Sequence, residues 1–140
     1  TLFPYTTLFR SVRVRRMTSA FACGRILNAG TARSQFIGGI TMGLGMALLE
    51  DAHPDLRYGG ITNHNLAEYL VPTHADVPDI DIIILDDEDY RANPIGAKGI
   101  GEIGTPGVAA AVANAVYHAT GIRVRSLPIT AATLLDDLPA

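Results

Sequence analysis

Four glycines lie inside a stretch that otherwise has the apolar spacing of a helix, and they limit how that helix can pack. The stretch runs from about Ala32 to Glu50 and contains Gly38, Gly39, Gly43 and Gly45. Each interior glycine costs a helix about 1 kcal/mol relative to alanine. Four of them predict that another group approaches the backbone closely. That group is either a neighbouring helix or strand, or a bound cofactor, and the pattern favours neither.

Helix and strand signals are interspersed along the rest of the chain, which predicts an α+β fold with two main helices. Apolar residues that alternate with polar ones, or that form short β-branched runs, predict strands at 12–22, 65–71, 79–85 and 122–127, the third of them well buried. The predicted helices are 32–50, 106–120 and a short one at 131–138. Thr31, Thr105 and Thr130 are the expected N-cap residues, and Gly121 is the expected stop of the second helix.

Composition excludes several classes of partner and cofactor. The 140 residues carry a net charge of -3, so no basic surface points to nucleic acid. No apolar run approaches the roughly 18 residues of a membrane span. The single cysteine, Cys23, allows no internal disulfide, Cys-rich zinc site or iron–sulfur cluster. The four histidines lack zinc-like spacing. The acidic run 86–89 lacks the spacing of a calcium loop and is interpreted as a solvated turn.

The first eleven residues look foreign to the natural protein. Thr1 to Ser11 match, at all eleven codons, the in-frame translation of a common short-read sequencing adapter. The alternative is a genuine apolar strand. We leave this stretch out of the fold prediction, as an expression scar would be. We therefore expect the native domain to occupy 12–140 and the natural gene to continue upstream of about Val12.

A glycine-bearing loop at 92–104 carries the strongest chemical signal. Gly99 and Gly101 let a ligand approach the backbone, whose N–H groups can then bind anionic oxygens. Glu102 is the only acid in the loop, and a carboxylate among apolar neighbours can serve as a general base. The same pattern also fits the ordinary start of a helix. It is neither a P-loop nor a convincing dinucleotide fingerprint, because the Gly-Lys-Ser/Thr ending and a later acidic residue are missing.

The sequence Lys98-Gly99-Ile100-Gly101-Glu102 resembles the active-site loop of the xanthine dehydrogenase and aldehyde oxidoreductase family. Other motifs of that family recur in the same order over almost the whole of 12–140. They are Gly24-Arg25-Ile26-Leu27-Asn28, Gln35-x-x-Gly38-Gly39, Gly43-Leu44-Gly45, Tyr69-x-x-Pro72-Thr73, Asp76-Val77-Pro78, Ala113-Asn114-Ala115-Val116 and Gly121-Ile122-Arg123. Several ordered motifs are far more specific than any one of them. The stretches from Val12 to Met17 and from Tyr117 to Thr130 resemble the bacterial aldehyde oxidoreductase branch.

The resemblance implies that the chain is the C-terminal part of a molybdopterin-binding domain in the large, molybdenum-binding subunit. Glu102 matches the family's catalytic glutamate, the general base that takes the proton from the molybdenum hydroxyl. Gln35 matches a glutamine that hydrogen-bonds the molybdopterin. Lys98, Gly99, Ile100 and Gly101 match the loop whose backbone lines the cofactor. No protein metal ligand is implied, because the dithiolene of the cofactor holds the molybdenum.

The resemblance also implies cofactors and partners. The cofactor would be molybdopterin in its cytosine dinucleotide form, and iron–sulfur and FAD groups would lie on partner subunits. The reaction would oxidise aldehydes or hydroxylate N-heterocycles with oxygen derived from water. A noncatalytic structural or assembly domain of a multisubunit complex is the alternative, and a nucleotide-binding protein is a weaker one. We expect the 140 residues alone to have no turnover, because the upstream residues of the substrate pocket are absent from them.

Overall fold

The computed structural model describes residues 12–135, so the expectation for 1–11 and the end of the last predicted helix lie outside the described residues. The described part is α+β with two main helices, as predicted. In chain order the elements are β1 (Arg16–Phe21), α1 (Ala29–Leu48), β2 (Pro54–Asp55), β3 (Gly60–Ile61), β4 (Asp79–Ile84), α2 (Val108–Thr120) and α3 (Ala131–Leu135). None of the helices in this part is long and apolar enough to cross a membrane.

The strands β1 and β4 form a parallel pair in which Arg16 aligns with Asp79 and Phe21 with Ile84. Parallel strands need a long crossover connection between them. Here α1 lies in that connection and packs against β4. The short strands β2 and β3 pair antiparallel within the same connection. Because β1 and β4 run in the same direction, the segments that follow them leave the sheet at the same end.

The core is centred on α1, which contacts β4 and also packs against α2. Phe21 of β1 stacks on Phe36 of α1, with ring centroids 4.3 Å apart and an interplanar angle of 7°. Val108, Val112 and Val116 recur every four residues along α2 and are buried. The backbone N–H of Ile129 donates to the carbonyl oxygen of Ala47 at 2.7 Å. That hydrogen bond attaches the segment that follows α2 to the C-terminal end of α1.

Protein packing accounts for three of the four glycines at 38–45 of α1. A Cβ at Gly43 would lie 2.6 Å from Cβ of Val108, the first residue of α2. A Cβ at Gly39 would lie 3.0 Å from Cα of Gly104, and one at Gly45 would lie 2.8 Å from Cδ of Pro72. By contrast, Gly38 has no heavy atom within 4 Å of its Cβ position. Gly39 and Gly43 therefore let the glycine loop and α2 approach α1, and Gly45 makes room for Pro72, whereas Gly38 faces open space.

The ends of the helices differ from the prediction. α1 begins at Ala29, because Asn28 is its N-cap and accepts a hydrogen bond from the N–H of Thr31 at 3.0 Å. Thr31 is therefore inside the helix and is not its cap. α2 begins at Val108 after Gly107, which makes no side-chain cap. Its predicted stop is confirmed: Gly121 has the left-handed φ of 78° and its N–H donates to Tyr117.

Two predicted strands are wrong, and a third is less buried than expected. Residues 65–71 form a turn, in which the Asn65 side chain accepts from the Ala67 N–H and the Asn65 carbonyl accepts from the Tyr69 N–H. Residues 122–127 are not a strand, since no described segment pairs with them, although Ile122 is buried. β4 is not well buried, because Ile83 remains 47% exposed.

Candidate functional site

The two segments that follow the parallel strands meet at the carboxyl end of the sheet. The N–H of Leu85, just after β4, donates to the carbonyl oxygen of Phe21 at the end of β1, with an N···O distance of 2.9 Å. Beyond these residues lie the turn 24–28 on one side and the acidic run 86–89 on the other. Ligands of α/β folds bind outside the carboxyl ends of the strands, so this end of the fold is the place to look for a site.

The turn 24–28 is hydrogen-bonded to the start of the glycine loop. The N–H of Arg25 donates to the Gly96 carbonyl at 2.8 Å, and the N–H of Lys98 donates to the Cys23 carbonyl at 3.1 Å. Gly24 and Ala97 form an antiparallel bridge between these bonds. Gly24 has a φ of 70°, and a Cβ there would collide with the Gly96 carbonyl oxygen. Glycine is therefore needed for these two motifs to join.

A cleft of about 270 Å³ lies between the joined segments and the start of α1. Three of the predicted cofactor-binding residues, Gln35, Lys98 and Ile100, line it together. Small-molecule sites usually enclose about 300–1,000 Å³. The cleft is open and slightly smaller than that range, as one wall of a larger site would be.

The N-terminus of α1 also borders this cleft. Asn28 and Thr31 line the cleft and form the capping interaction of the helix. The N-terminal end of a helix carries a partial positive charge that favours anionic groups. Asn28, Arg25 and Cys23 were not predicted as site residues, although the first two belong to the Gly-x-x-Leu-Asn motif that carried the resemblance. The motif itself was therefore the signal that could have identified them.

The side chain of Lys98 does not point free into solvent. Its Nζ lies 3.3 Å from Oδ2 of Asp87 and 3.3 Å from Oδ2 of Asp89. Hydrogen bonds to these two carboxylates raise the pKa of Lys98. In turn, the hydrogen bond from Lys98 lowers the pKa of Asp89. The acidic run is therefore more than a solvated turn, because two of its carboxylates bind the glycine loop.

The structure does not bring the remaining predicted residues into the cleft. Gly99, Gly101 and Glu102 are exposed, and none of the three lines it. A Cβ added at Gly99 or Gly101 would meet no heavy atom within 4 Å, so the backbone there is open to a ligand. The expected apolar surroundings of Glu102 are not formed by the described residues. Its carbonyl oxygen accepts from the N–H of Thr105 at 3.0 Å.

The far end of the loop is fixed against α1. The hydroxyl of Thr105 donates to the carbonyl oxygen of Gly39 at 3.2 Å. A Cβ at Gly104 would lie 2.8 Å from the Phe36 carbonyl oxygen, so the two backbones are in contact. Glu102 therefore lies in a short span between two attachment points, one at Lys98 and the other at Gly104 and Thr105.

The cleft is lined mainly by apolar surface and carries a few hydrogen-bonding groups. The side-chain amides of Asn28 and Gln35 and the backbone of the loop offer donors and acceptors. Among residues 12–135, no group of three or more His, Cys, Asp or Glu side chains is placed to hold a metal ion. A metal held here by its own organic ligand, as in molybdopterin, fits this set of groups.

A cleft at the carboxyl end of parallel strands, beside a helix N-terminus and an open glycine loop, is typical of a cofactor-binding domain. Residues 6–78, just over half of the chain, match the family model of the molybdopterin cofactor-binding domain. The chain therefore belongs to the molybdopterin cofactor-binding domain family. The match overlaps residues 6–11, and the expectation that 1–11 are foreign stays a prediction.

Named relatives agree with this family. The chain is 59% identical over 128 residues to the aldehyde oxidoreductase molybdenum-binding subunit of Escherichia coli, covering 91% of this chain and 18% of that subunit. It is 35% identical over 126 residues to an Escherichia coli xanthine dehydrogenase molybdenum-binding subunit, covering 90% and 17%. The aldehyde oxidoreductase structure from Desulfovibrio gigas superposes with a TM-score of 0.82 at 30% identity, covering 95% and 14%. The chain thus spans less than a fifth of each relative's length.

Proposed function

We propose that this chain forms one wall of the molybdenum cofactor site in the large subunit of an aldehyde-oxidising enzyme. The observation that carries the proposal is the cleft in which Gln35 of α1 meets Lys98 and Ile100 of the glycine loop. Gln35 lies more than 60 positions before the other two residues in the sequence. The resemblance assigned all three to the same cofactor. Their meeting in one cleft at the carboxyl end of the sheet supports that assignment.

Each residue has a distinct part in the proposal. The Gln35 amide hydrogen-bonds the pterin, in the cytosine dinucleotide form of the cofactor, and the backbone of 98–101 lies along it. The cofactor, when bound, supplies the oxygen transfer and accepts the two electrons of the oxidation. Glu102 is the general base that removes the proton during that transfer. Its exposure here leaves the carboxylate accessible, and other parts of the subunit would exclude water from it.

The relatives support an aldehyde as the substrate more strongly than an N-heterocycle. Identity to the aldehyde oxidoreductase subunit is 59%, against 35% for the xanthine dehydrogenase subunit. Electrons would leave through iron–sulfur and FAD groups on partner subunits, consistent with relatives that are themselves named as molybdenum-binding subunits.

The alternative is a noncatalytic assembly domain. Large apolar side chains are exposed outside the cleft, including Leu56 at 93% and Leu66 at 80%. Single exposed apolar residues are common on protein surfaces, so they do not distinguish the two proposals. The two proposals differ at the cleft, because an assembly domain has no need for Gln35 and the glycine loop to meet there.

The test uses the full-length parent subunit, produced with its partner subunits, at limiting molybdate. Molybdenum per protein is measured for the wild type, Gln35→Ala and Ser34→Ala. Ser34 is the matched control, since it is the exposed neighbour of Gln35 on α1 and does not line the cleft. Loss of one hydrogen bond of about 1 kcal/mol lowers affinity about fivefold. We expect Gln35→Ala to load several-fold less molybdenum than Ser34→Ala. Equal loading of both variants removes Gln35 from the site, and a wild type without molybdenum favours the assembly domain.

A further inference from the structure

We propose that Lys98 is a positioning residue. Its ammonium forms ion pairs with Asp87 and Asp89, together called the clasp, and these ion pairs hold the glycine loop across the ends of β1 and β4. This role deepens the proposed function, on which its consequence for catalysis rests. It differs from the role of a free cation that binds the cofactor or the substrate. The resemblance placed Lys98 in the cofactor loop but gave its ammonium group no partner.

Lys98 is held from two sides. Its backbone N–H donates to Cys23, just beyond β1, while its ammonium lies 3.3 Å from both carboxylates in the segment that follows β4. A further bond runs from the N–H of Asp89 to the carbonyl oxygen of Gly96 at 3.2 Å. The start of the loop is therefore connected to the segments after both parallel strands.

The Lys98–Asp89 pair is more enclosed than the outer ion pair on the strands. The side chains of Lys98 and Asp89 are 31% and 33% exposed, whereas those of Arg16 and Asp81 in the outer pair are 64% and 50% exposed. The second carboxylate, Asp87, is 54% exposed. Exposed pairs contribute little, because water screens them. Two carboxylates facing one ammonium also leave the clasp with net negative charge. Lys98 is thus a poor partner for a further anion.

Other charged groups near the clasp do not compete for Lys98. Among the described residues, the ammonium of Lys98 forms ion pairs with Asp87 and Asp89 alone. Glu88 accepts a hydrogen bond from the hydroxyl of Tyr90. Arg25, Asp86 and Glu88 line a second, small depression. The two carboxylates that contact Lys98 are therefore the ones that hold the loop.

The clasp has a consequence for Glu102, four residues further on. Gly99 and Gly101 lie between them and give the span little stiffness of its own. The position of Glu102 therefore depends on the attachments at Lys98 and at Gly104 and Thr105. A displacement of about 1 Å at a reacting group can cost about 100-fold in rate. Release of the clasp should lower kcat while the cofactor stays bound.

The experiment compares four variants of the full-length parent with its partner subunits. Lys98→Met and Asp89→Asn break the clasp from opposite sides, Lys98→Arg keeps the charge, and Asp81→Asn breaks the exposed outer pair as the matched control. The readouts are molybdenum content, kcat and KM with an aromatic aldehyde, and hydrogen exchange at the amides of Arg25 and Lys98. These two amides form the hydrogen bonds that join residues 23–25 to the start of the glycine loop.

We expect Lys98→Met and Asp89→Asn to speed exchange at both amides and to lower kcat by about 10- to 100-fold. Molybdenum content and KM should stay near wild type, Lys98→Arg should recover much of kcat, and Asp81→Asn should change nothing. If Lys98→Met lowers molybdenum content or raises KM while Asp89→Asn has no effect, Lys98 binds the cofactor or substrate directly and the proposal is overturned. Unchanged exchange in both variants also overturns it. If the wild type has no turnover, the proposed function fails, and exchange still decides whether the clasp holds the loop.

Discussion

The close approach of α1 and α2 makes a specific prediction for two glycines on the same helix. A methyl group added at Gly43 would lie 2.6 Å from Cβ and 2.9 Å from Cγ2 of Val108. One added at Gly38 would meet nothing within 4 Å. Both Gly→Ala changes remove the helix penalty of glycine, about 1 kcal/mol. Only Gly43→Ala also forces the two helices apart, and overpacking of this kind costs about 1–3 kcal/mol.

Gly38→Ala should therefore stabilise the chain by about 1 kcal/mol, because it gains helix propensity without a clash. Gly43→Ala should be neutral to destabilising by about 2 kcal/mol, the overpacking cost less the same gain. The propensity contribution is common to both variants. The difference between them, about 1–3 kcal/mol, therefore reports the helix contact alone.

Urea unfolding of the 140-residue chain, followed by far-UV circular dichroism, measures this difference. With a slope of about 2 kcal/mol per molar urea, a difference of about 2 kcal/mol separates the two midpoints by about 1 M. The slopes must agree between variants for the midpoints to be compared. If Gly43→Ala is stabilised as much as Gly38→Ala, α2 does not contact α1 at Gly43 and the helix packing is wrong.

Two further predictions concern a cap and a carboxylate. Asn28→Ala removes the N-cap of α1 and should destabilise the chain by about 1 kcal/mol. Asn28→Asp should retain most of that stability, because an aspartate side chain can also cap a helix. Equal urea midpoints for wild type and Asn28→Ala would exclude this capping role. Hydrogen bonds from the hydroxyl and N–H of Thr73 lower the pKa of Asp76 in the folded chain. The resulting stabilisation is present above the unfolded pKa of about 3.9 and is lost as the pH falls through the lower folded pKa. Asp76→Asn should therefore flatten the loss of stability below about pH 4 in acid titrations, and an unchanged acid profile would contradict it.

Periodicity was enough to predict the elements that form the core. The main helices and the strands β1 and β4 lie where apolar spacing places them, since their inward residues recur with the period of each structure. Periodicity fails where a strand depends on a partner that is distant in the sequence, or where a side chain bonds to the nearby backbone and stabilises a turn instead of a strand. Residues 65–71 have a strand-like composition, but the Asn65 side chain bonds the backbone and stabilises a turn instead. The parallel pairing of β1 with β4 joins positions about 60 residues apart, which no local pattern encodes.

The candidate site was predictable only in part, and the prediction came from the order of the motifs. Motif order pointed to Gln35 and the glycine loop, and the fold brings Gln35, Lys98 and Ile100 into one cleft. The clasp on Lys98 was not foreseen, because a run of acidic residues read alone looks like a solvated turn. The role of Glu102 also rests on resemblance, since among the described residues its side chain remains exposed.

The decisive measurement is the anaerobic reduction of the metal centre by an aromatic aldehyde, in the full-length parent as wild type and as Glu102→Gln. Both proteins are first matched for molybdenum content, and Glu68→Gln, at another exposed glutamate, serves as the control. Removal of a general base costs about 10²–10⁴-fold in rate. We predict a loss of that size in Glu102→Gln and wild-type reduction in Glu68→Gln. Equal reduction rates for wild type and Glu102→Gln would contradict the assignment of Glu102 as the catalytic base.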